Sequence, residues 1–334
     1  MRLLSGFINR CSMPDVSVIV PLYNKAAYID RCLDSILSQS YADFELIVVN
    51  DGSTDGSERA VERRRDPRVR LISQANAGPG EARNHGARLA EGSLLAFLDG
   101  DDAWHPDYLK ESIARMNGKM RGDAVSLTWG MKIFPRDETT ERRWREGGIP
   151  DGMFRASPET DAGVIIAMLA NMLPSSTVIR KTVFDELGGY YAKYRCVYSE
   201  DAWLYLRLLL RYPVAFDYRP MTFRFEDASE LAVNLRGARP IEPFLQDPES
   251  VSADCPAAMQ SLLREVLARR ALKTATVYGY WGEFQQSRAL FKRFVSPGDW
   301  RLPYFATGLA SCTPLSGWAG GIARAGGRRK GIRN

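Results

Sequence analysis

Three carboxylates in four positions follow an apolar run at residues 94–98, in the order Asp99, Gly100, Asp101 and Asp102. Packing like charges this closely is unfavourable unless a cation lies among them. Mg²⁺ and Mn²⁺ prefer hard oxygen ligands and leave positions for water and phosphate oxygens. The spacing therefore predicts that Asp99 and Asp101 face a divalent cation, which would help a diphosphate to leave. The alternative is an acidic surface turn, since Asp and Gly are common in turns.

Two more charged residues, Asp51 and Arg83, lie where a strand ends and where a helix begins. A carboxylate at position 51 could accept the N–H of a base such as uracil, although residues 51–57 also suit turn and capping chemistry. The guanidinium of Arg83, within residues 78–86, suits a phosphate or a base edge. A surface arginine is the alternative interpretation.

The acidic pair Glu200 and Asp201 opens a predicted helix over residues 199–213. Acidic residues in a first turn are favoured by the helix dipole, so the pair has a purely structural explanation. It could instead supply a general base for a sugar hydroxyl, if the second half of the chain folds over the crevice. His85 and His105 have no Ser, Cys or second His at a catalytic spacing, and we predict structural roles for both.

Alternating strand and helix patterns in the first hundred residues must position these side chains. Apolar strands are predicted at 16–24, 44–51, 69–73 and 93–99, with helical stretches between them. Such apolar strands, separated by helices, indicate an α/β fold whose parallel sheet is buried on both faces. The polar residues at the strand ends should then converge on one crevice at the carboxyl edge.

After about residue 120 the pattern changes to mixed strands and helices around a charged segment, predicted to be a loop, at 135–157. Strands are predicted at 123–134 and 175–181, and helices at 164–173, 182–190 and 199–213. From about residue 256 the pattern is helical, with amphipathic helices predicted at 264–282 and 283–295.

Composition excludes several classes of protein. The chain has 334 residues, of which 45% are hydrophobic and 25% charged, as in ordinary globular proteins. No apolar stretch approaches the roughly 18 residues that span a bilayer, and residues 1–14 do not resemble a secretory signal. Five scattered cysteines without a CxxC pair argue against a disulfide scaffold or a zinc site and favour a cytoplasmic location.

The net charge of +5 is concentrated at the end of the chain, where six basic residues and no acidic one follow from Arg301 onward. This tail could make peripheral contact with an anionic membrane surface, at roughly 1 kcal/mol per basic residue. The alternative is a tail that only improves solubility. With 40 acidic residues and no clustered basic and aromatic stripe, the composition argues against nucleic-acid binding.

Five motifs taken together resemble family-2 glycosyltransferases of the GT-A fold, over roughly residues 14–226. In chain order they are VSVIVPLYN, FELIVVNDGSTDGS, NAGPGEARNHG, FLDGDDAWHPDYL and YSEDAWLYLRL. The resemblance implies a Rossmann-like, mostly parallel twisted sheet flanked by helices, with a C-terminal helical appendage. It also implies a nucleotide-sugar-binding half at 14–120, an acceptor-binding half at 121–235 and a helical extension with a basic tail at 256–334.

On the donor side, the resemblance implies that Asp51 contacts the nucleotide base and that Arg83 lies beside the donor. It further implies that the nucleotide pocket is lined by Pro21, Tyr23 and Asn24.

On the reacting side, the resemblance implies that Asp99 lies near the ribose and that Asp101 ligates Mn²⁺ or Mg²⁺. Asp201 is then the expected catalytic base, with Glu200 beside it at the acceptor site. Members of the family with this arrangement invert the anomeric centre by in-line displacement.

The sequence departs from the family pattern in two places. Related members often carry Tyr-Arg-x-His late in the second half, whereas this chain reads Phe223-Arg224-Phe225-Glu226, so a carboxylate replaces the histidine. The QxxRW motif of processive polysaccharide synthases is absent, which favours single additions.

The sequence thus predicts a metal-assisted, inverting, non-processive glycosyltransferase that uses a nucleotide-sugar, with UDP as the expected nucleotide. Its expected acceptor is a glycan or a lipid-linked glycan, at the cytoplasmic face of the cell membrane. Two alternatives stay open at this point. One is a non-catalytic nucleotide-sugar-binding protein, and the other is a phosphohydrolase that uses its DxD motif as an aspartyl nucleophile.

Overall fold

A computed structural model of the chain describes residues 14–118, 124–228 and 238–295, together with residues 308, 310 and 312. Its centre is a ten-stranded sheet with strand order β3-β2-β1-β4-β9-β6-β10-β5, to which β7 and β8 are attached beside β6 and β10. The strands are β1 Val16–Leu22, β2 Phe44–Asn50, β3 Val69–Ser73, β4 Leu94–Phe97, β5 Ala103–Trp104, β6 Ser126–Phe134, β7 Glu138–Thr139, β8 Gly152–Phe154, β9 Thr177–Arg180 and β10 Val214–Phe225.

Helices cover both faces of this sheet. They are α1 Ile29–Leu37, α2 Ser57–Glu62, α3 Pro79–Leu89, α4 Tyr108–Asn117, α5 Glu141–Glu146, α6 Ala162–Leu169, α7 Lys181–Glu186, α8 Glu200–Arg211, α9 Pro243–Gln246, α10 Glu249–Ser252, α11 Gln260–Trp281 and α12 Phe284–Phe294. Within the described ranges, no helix combines the length and the apolar character that crossing a membrane requires.

The first four strands confirm the predicted parallel sheet. Strand β1 lies between β2 and β4 and pairs in parallel with both, while β3 pairs in parallel with β2. Successive residues of β1 enter different cores: Val18 and Val20 pack on one face of the sheet and Ile19 on the other. Complete burial of such a side chain contributes about 1.5–3 kcal/mol, which explains why these strands are apolar on both faces.

The second half of the chain extends the same sheet. Strand β9 pairs antiparallel with both β4 and β6, and β6 pairs in parallel with the long strand β10. Because β9 is antiparallel to both β4 and β6, these two strands run in the same direction, and so does β10. The carboxyl end of β10 therefore comes close to the turn that follows β4, where the main-chain N–H of Phe225 lies 3.4 Å from Oδ1 of Asp102.

The charged segment 135–157, predicted to be a loop, contains helix α5 and the short strands β7 and β8. Trp144 of α5 is fully buried, and its ring lies 5.7 Å from that of Phe216 on β10. The loop prediction was wrong because α5 has six residues and one apolar anchor, too few to show a helical periodicity.

The two predicted C-terminal helices are confirmed as α11 and α12, and α11 shares the core that contains α6 and α8. The basic tail beyond Arg301 lies outside the described residues apart from positions 308, 310 and 312, as do residues 1–13. The predictions made for these two segments are therefore not tested by the structure.

Candidate active site

The DGDD turn, defined as residues Asp99 to Asp102, follows β4 at the carboxyl edge of the sheet. The Asp99 side chain is 36% exposed, whereas that of Asp101 is 12% exposed and Asp102 is buried. The alternative of a solvated acidic turn is wrong, because two of its three carboxylates are removed from water. Each must therefore be compensated by cations or hydrogen bonds, or hold a proton.

Two cations of the first strand–helix unit contact the centre of this turn. The Lys25 ammonium lies 2.8 Å from Oδ2 of Asp101, and the Arg31 guanidinium donates to the Asp101 carbonyl oxygen at 2.6 Å. Burial and the neighbouring Asp99 raise the pKa of Asp101, while Lys25 opposes the rise. Burial, Asp101 and Asp99 raise the pKa of Asp102 to about 8. At neutral pH Asp102 therefore holds a proton and adds no negative charge to the turn.

The residues of the turn fit a divalent cation that is held jointly with a phosphate group. Asp99 and Asp101 offer the hard oxygen donors that Mg²⁺ and Mn²⁺ prefer. Across the described residues, however, no cluster of three or more His, Cys, Asp or Glu is arranged as a metal site. Two carboxylates alone leave most coordination positions to water or to a diphosphate.

Asp51, at the end of β2, is buried and shapes the loop that leads into α3. Its Oδ1 accepts hydrogen bonds from the Gln74 side-chain amide and the Ala77 N–H, both at 2.8 Å. Its Oδ2 accepts from the N–H of Gly78 at 2.9 Å. Gly78 has φ of +91°, a backbone conformation that favours glycine. Asp51 thus holds the loop before α3 in place, and its contact with a base stays a prediction.

The end of β1 forms the adjacent part of this edge. Asn24, at φ of +50°, accepts from the N–H of Thr54 at 2.8 Å and donates its own N–H to Ser53 Oγ at 3.1 Å. Asparagine tolerates this conformation better than most residues. The preceding Tyr23 ring is 49% exposed, and Pro21 is partly buried. These contacts fix the strand end and leave the Tyr23 ring open to a ligand.

Arg83 links the two halves of the site. It is 4% exposed, so the surface-arginine alternative is wrong. Its Nη2 lies 2.6 Å from Oδ1 of Asp99, and its Nη1 lies 2.8 Å from Oε1 of Glu200. Next to it, the Asn84 side chain exchanges two 2.8 Å hydrogen bonds with the main chain of Tyr190. Helix α3 is therefore joined to the DGDD turn, to α8 and to the segment before α8.

The two acids that open α8 have different surroundings. Glu200 is engaged by Arg83, whereas Oδ1 of Asp201 accepts a 2.8 Å hydrogen bond from the N–H of Ala202. Burial and the adjacent Glu200 raise the pKa of Asp201 to about 7, while Arg83 opposes the rise. A carboxylate that titrates near neutrality is suited to accept a proton from a reacting hydroxyl.

Three polar residues of the site were not predicted, namely Lys25, Arg31 and Ser175. Lys25 follows Asn24 at the end of β1, and its position at a strand end could have identified it. Ser175 lies in a short 3₁₀ helix, Pro174–Ser176, where its Oγ accepts from the N–H of Asp99 at 3.2 Å. Nothing local in the sequence marks Ser175, since its role depends on where β9 enters the sheet.

Glu226, which stands where relatives often have histidine, follows β10 and lies 2.5 Å from the Arg136 guanidinium. His85 lies beside Gln74, with 2.6 Å between Nδ1 and Oε1, and the main-chain N–H of His105 donates to the Met221 carbonyl oxygen at 2.9 Å.

Comparison with known proteins agrees with this geometry. Residues 17–186, half of the chain, match the family model described as "Glycosyl transferase family 2". The uncharacterized glycosyltransferase EpsJ of Bacillus subtilis is 48% identical over 92 residues, which are 27% of each chain. Chondroitin synthase of Escherichia coli is 43% identical over 144 residues, 38% of this chain and 21% of that protein. The matches thus span about a quarter of the length of these curated relatives.

Two solved structures share the fold. TarS 1-349 of S. aureus in complex with UDP has a TM-score of 0.57 at 19% identity, covering 89% of this chain and 80% of that one. The mannosyltransferase PcManGT of Pyrobaculum calidifontis, in complex with GDP-Man and Mn²⁺, has a TM-score of 0.51 at 21% identity, covering 95% and 87%. The family match, with the motifs in the expected order on a shared fold, confirms the resemblance: the chain belongs to glycosyl transferase family 2.

Proposed function

We propose that the protein transfers a sugar from a nucleotide-sugar, with UDP as the preferred nucleotide, to a hydroxyl of a glycan or lipid-linked glycan, with inversion and metal assistance. The observation that carries this proposal is the bridge made by Arg83. One buried side chain joins Asp99 of the DGDD turn to Glu200, the neighbour of Asp201. A turn suited to a diphosphate and a carboxylate suited to proton transfer are therefore fixed to each other.

The chemistry follows from this arrangement. Asp201 takes the proton of the acceptor hydroxyl while the hydroxyl oxygen forms a bond to the anomeric carbon. The bond from that carbon to the diphosphate oxygen breaks, and its electron pair leaves with the nucleoside diphosphate. A single displacement of this kind inverts the anomeric centre. A divalent cation at Asp101 and Asp99 would stabilise the negative charge on the leaving diphosphate.

The remaining residues of the site bind and orient. Asp51 and the loop it holds would line the base pocket, with the exposed ring of Tyr23 at its rim. Arg83 keeps Glu200 in place, so that Asp201 is the carboxylate left to take a proton. The neighbour TarS supports UDP as the nucleotide, since its structures contain UDP and UDP-GlcNAc, while PcManGT contains GDP-Man.

The first test is UDP binding by calorimetry, with and without Mn²⁺, followed by slow hydrolysis of a panel of nucleotide-sugars. We expect Mn²⁺ to tighten UDP binding and Asp101→Ala to remove most of that gain. The matched control is Asp34→Ala, an exposed carboxylate on α1 that pairs with Arg64. Metal-dependent UDP binding that survives Asp101→Ala would show that the metal assignment is wrong.

Hydrolysis separates the transferase from its two alternatives. A non-catalytic binding protein would bind UDP but release no sugar from any donor. A phosphohydrolase would form a phosphoenzyme from a simple phosphate ester, releasing its alcohol, without any sugar nucleotide. We expect sugar release from at least one donor and no phosphoenzyme.

A further inference from the structure

Three side chains from different elements form a hydrogen-bonded chain at the carboxyl edge of the sheet. Gln74, directly after β3, donates from Nε2 to Oδ1 of Asp51 at 2.8 Å. Its Oε1 lies 2.6 Å from Nδ1 of His85, which belongs to α3. The main chain of Gln74 is fixed as well, because its N–H donates to the Asn50 carbonyl oxygen at 2.9 Å. The chain Asp51–Gln74–His85 therefore joins the ends of β2 and β3 to α3.

The orientation of the Gln74 amide follows from these two contacts. A carboxylate only accepts hydrogen bonds, so the amide atom beside Asp51 must be the nitrogen. The amide oxygen then faces His85, and because this oxygen also only accepts, Nδ1 of His85 must carry the hydrogen. If the amide turned over, its oxygen would face the carboxylate and its nitrogen would face a donor. His85 thus holds Gln74 in one orientation.

Asp51 and Gln74 each have hydrogen-bonding capacity left. A carboxylate offers about four acceptor sites. The Gln74 amide and the Ala77 N–H use Oδ1 of Asp51, and the Gly78 N–H uses Oδ2, so one site is left at Oδ2. Nε2 of Gln74 carries two hydrogens, and within the described ranges its acceptor is Asp51 alone. An acceptor site and a donor site therefore remain side by side where β2 and β3 end.

We propose that Asp51 and Gln74 together select uracil over cytosine, with His85 as a positioning residue that acts through Gln74. Asp51 accepts the N3–H of uracil at Oδ2, and Gln74 donates its second N–H to O4. Cytosine carries an amino group in place of O4 and has no hydrogen on N3. It would therefore set a donor against Gln74 and an acceptor against Asp51. The inference rests on the proposed function and deepens it, because it names the residues that choose the nucleotide.

The test compares UDP with CDP, which share the ribose and the diphosphate, by calorimetry on the full chain with saturating Mn²⁺. The ratio of the two dissociation constants then reports on the base alone. We expect wild type to bind UDP at least about thirtyfold more tightly, as a matched two-point contact to a base edge allows. Gln74→Leu should lower this ratio at least about fivefold, since one of the two contacts is lost.

Two substitutions of His85 separate its role from simple packing. His85→Phe keeps a ring but removes the donor to Gln74, so the amide can turn over, and the ratio should fall at least about threefold. His85→Asn retains an amide N–H donor at a similar distance from the main chain and should keep the ratio within twofold of wild type. Gln285→Leu, at an exposed position of α12, is the matched control and should leave the ratio unchanged.

The inference is overturned if wild type binds UDP and CDP equally, or if Gln74→Leu or His85→Phe keeps the wild-type ratio. A purely structural role would weaken both nucleotides together and leave the ratio unchanged. If Gln74→Leu binds neither nucleotide, His85→Phe decides the question, because it leaves the Gln74 side chain in place. UDP binding by wild type is measured first. If UDP does not bind, the proposed function fails, whereas a UDP preference that is the same in wild type and both variants defeats this inference alone.

Discussion

Two carboxylate sites at the same edge of the sheet differ in how their charge is compensated. Asp51 is buried, yet each of its oxygens accepts a hydrogen bond from the loop before α3, with three donors in all. Among the residues that the structure describes, Asp201 accepts one hydrogen bond, from the N–H of Ala202, and it lies beside the like charge of Glu200. The first arrangement stabilises one backbone conformation. The second leaves a carboxylate that can change its protonation state, as proton transfer requires.

The largest effect on activity is expected at Asp201, the carboxylate with less hydrogen bonding. Asp201→Asn should slow nucleotide-sugar hydrolysis about 10³-fold, because loss of a general base typically costs 10²–10⁴-fold. UDP affinity should stay within twofold of wild type, since we propose that Asp201 faces the acceptor. Asp185→Asn, an exposed carboxylate on α7 that pairs with Lys181, is the matched control. Unchanged hydrolysis in Asp201→Asn would remove Asp201 from the mechanism.

The pH profile sharpens the same contrast. With a pKa of about 7, Asp201 is protonated below neutrality and cannot act as a base. We expect kcat/KM for hydrolysis to fall about tenfold for each pH unit below about 7. The profile is measured at constant ionic strength with Mn²⁺ saturating. A rate that stays constant from pH 8 down to pH 5 would contradict the assignment.

The DGDD turn allows a test of stability. The pKa of Asp102 is raised to about 8, whereas an unfolded Asp titrates near 4. Between these values the folded protein holds a proton that the unfolded chain has lost, so this group lowers stability as pH rises from about 4 to 8. In EDTA at pH 8, Asp102→Asn should raise the free energy of unfolding by on the order of 3 kcal/mol, with no gain below pH 4. Urea unfolding at both pH values measures this, and equal effects at both would contradict it.

The smallest effect is expected at Asp51, whose two oxygens both accept hydrogen bonds. Asp51→Asn replaces one accepting oxygen by an NH₂ group that faces an N–H donor, which should lower the free energy of unfolding by about 1–3 kcal/mol. Urea unfolding measures the loss, and Asp34→Asn on the exposed face of α1 is the control. An unchanged free energy of unfolding in Asp51→Asn would show that the loop is held by other contacts.

What could be predicted from the sequence follows from the geometry of parallel sheets. Asn24, Asp51 and Asp99 each follow an apolar strand, and the carboxyl ends of parallel strands meet at one edge. Their convergence therefore needed no tertiary information.

The bridge made by Arg83 could not be predicted, because its partner Glu200 lies 117 residues away and depends on how α8 docks. The sequence did not predict the short helix α5 because the helix has one buried apolar residue, Trp144, and a single residue reveals no helical periodicity.

The most direct test of the central claim is the configuration of the released sugar. Hydrolysis of an α-linked nucleotide-sugar with Mn²⁺ is followed by proton NMR before mutarotation, for wild type and for Asp201→Asn. We predict that wild type first releases the β anomer and that Asp201→Asn releases almost none. First release of the α anomer, or equal release by both proteins, would contradict single displacement with Asp201 as the base.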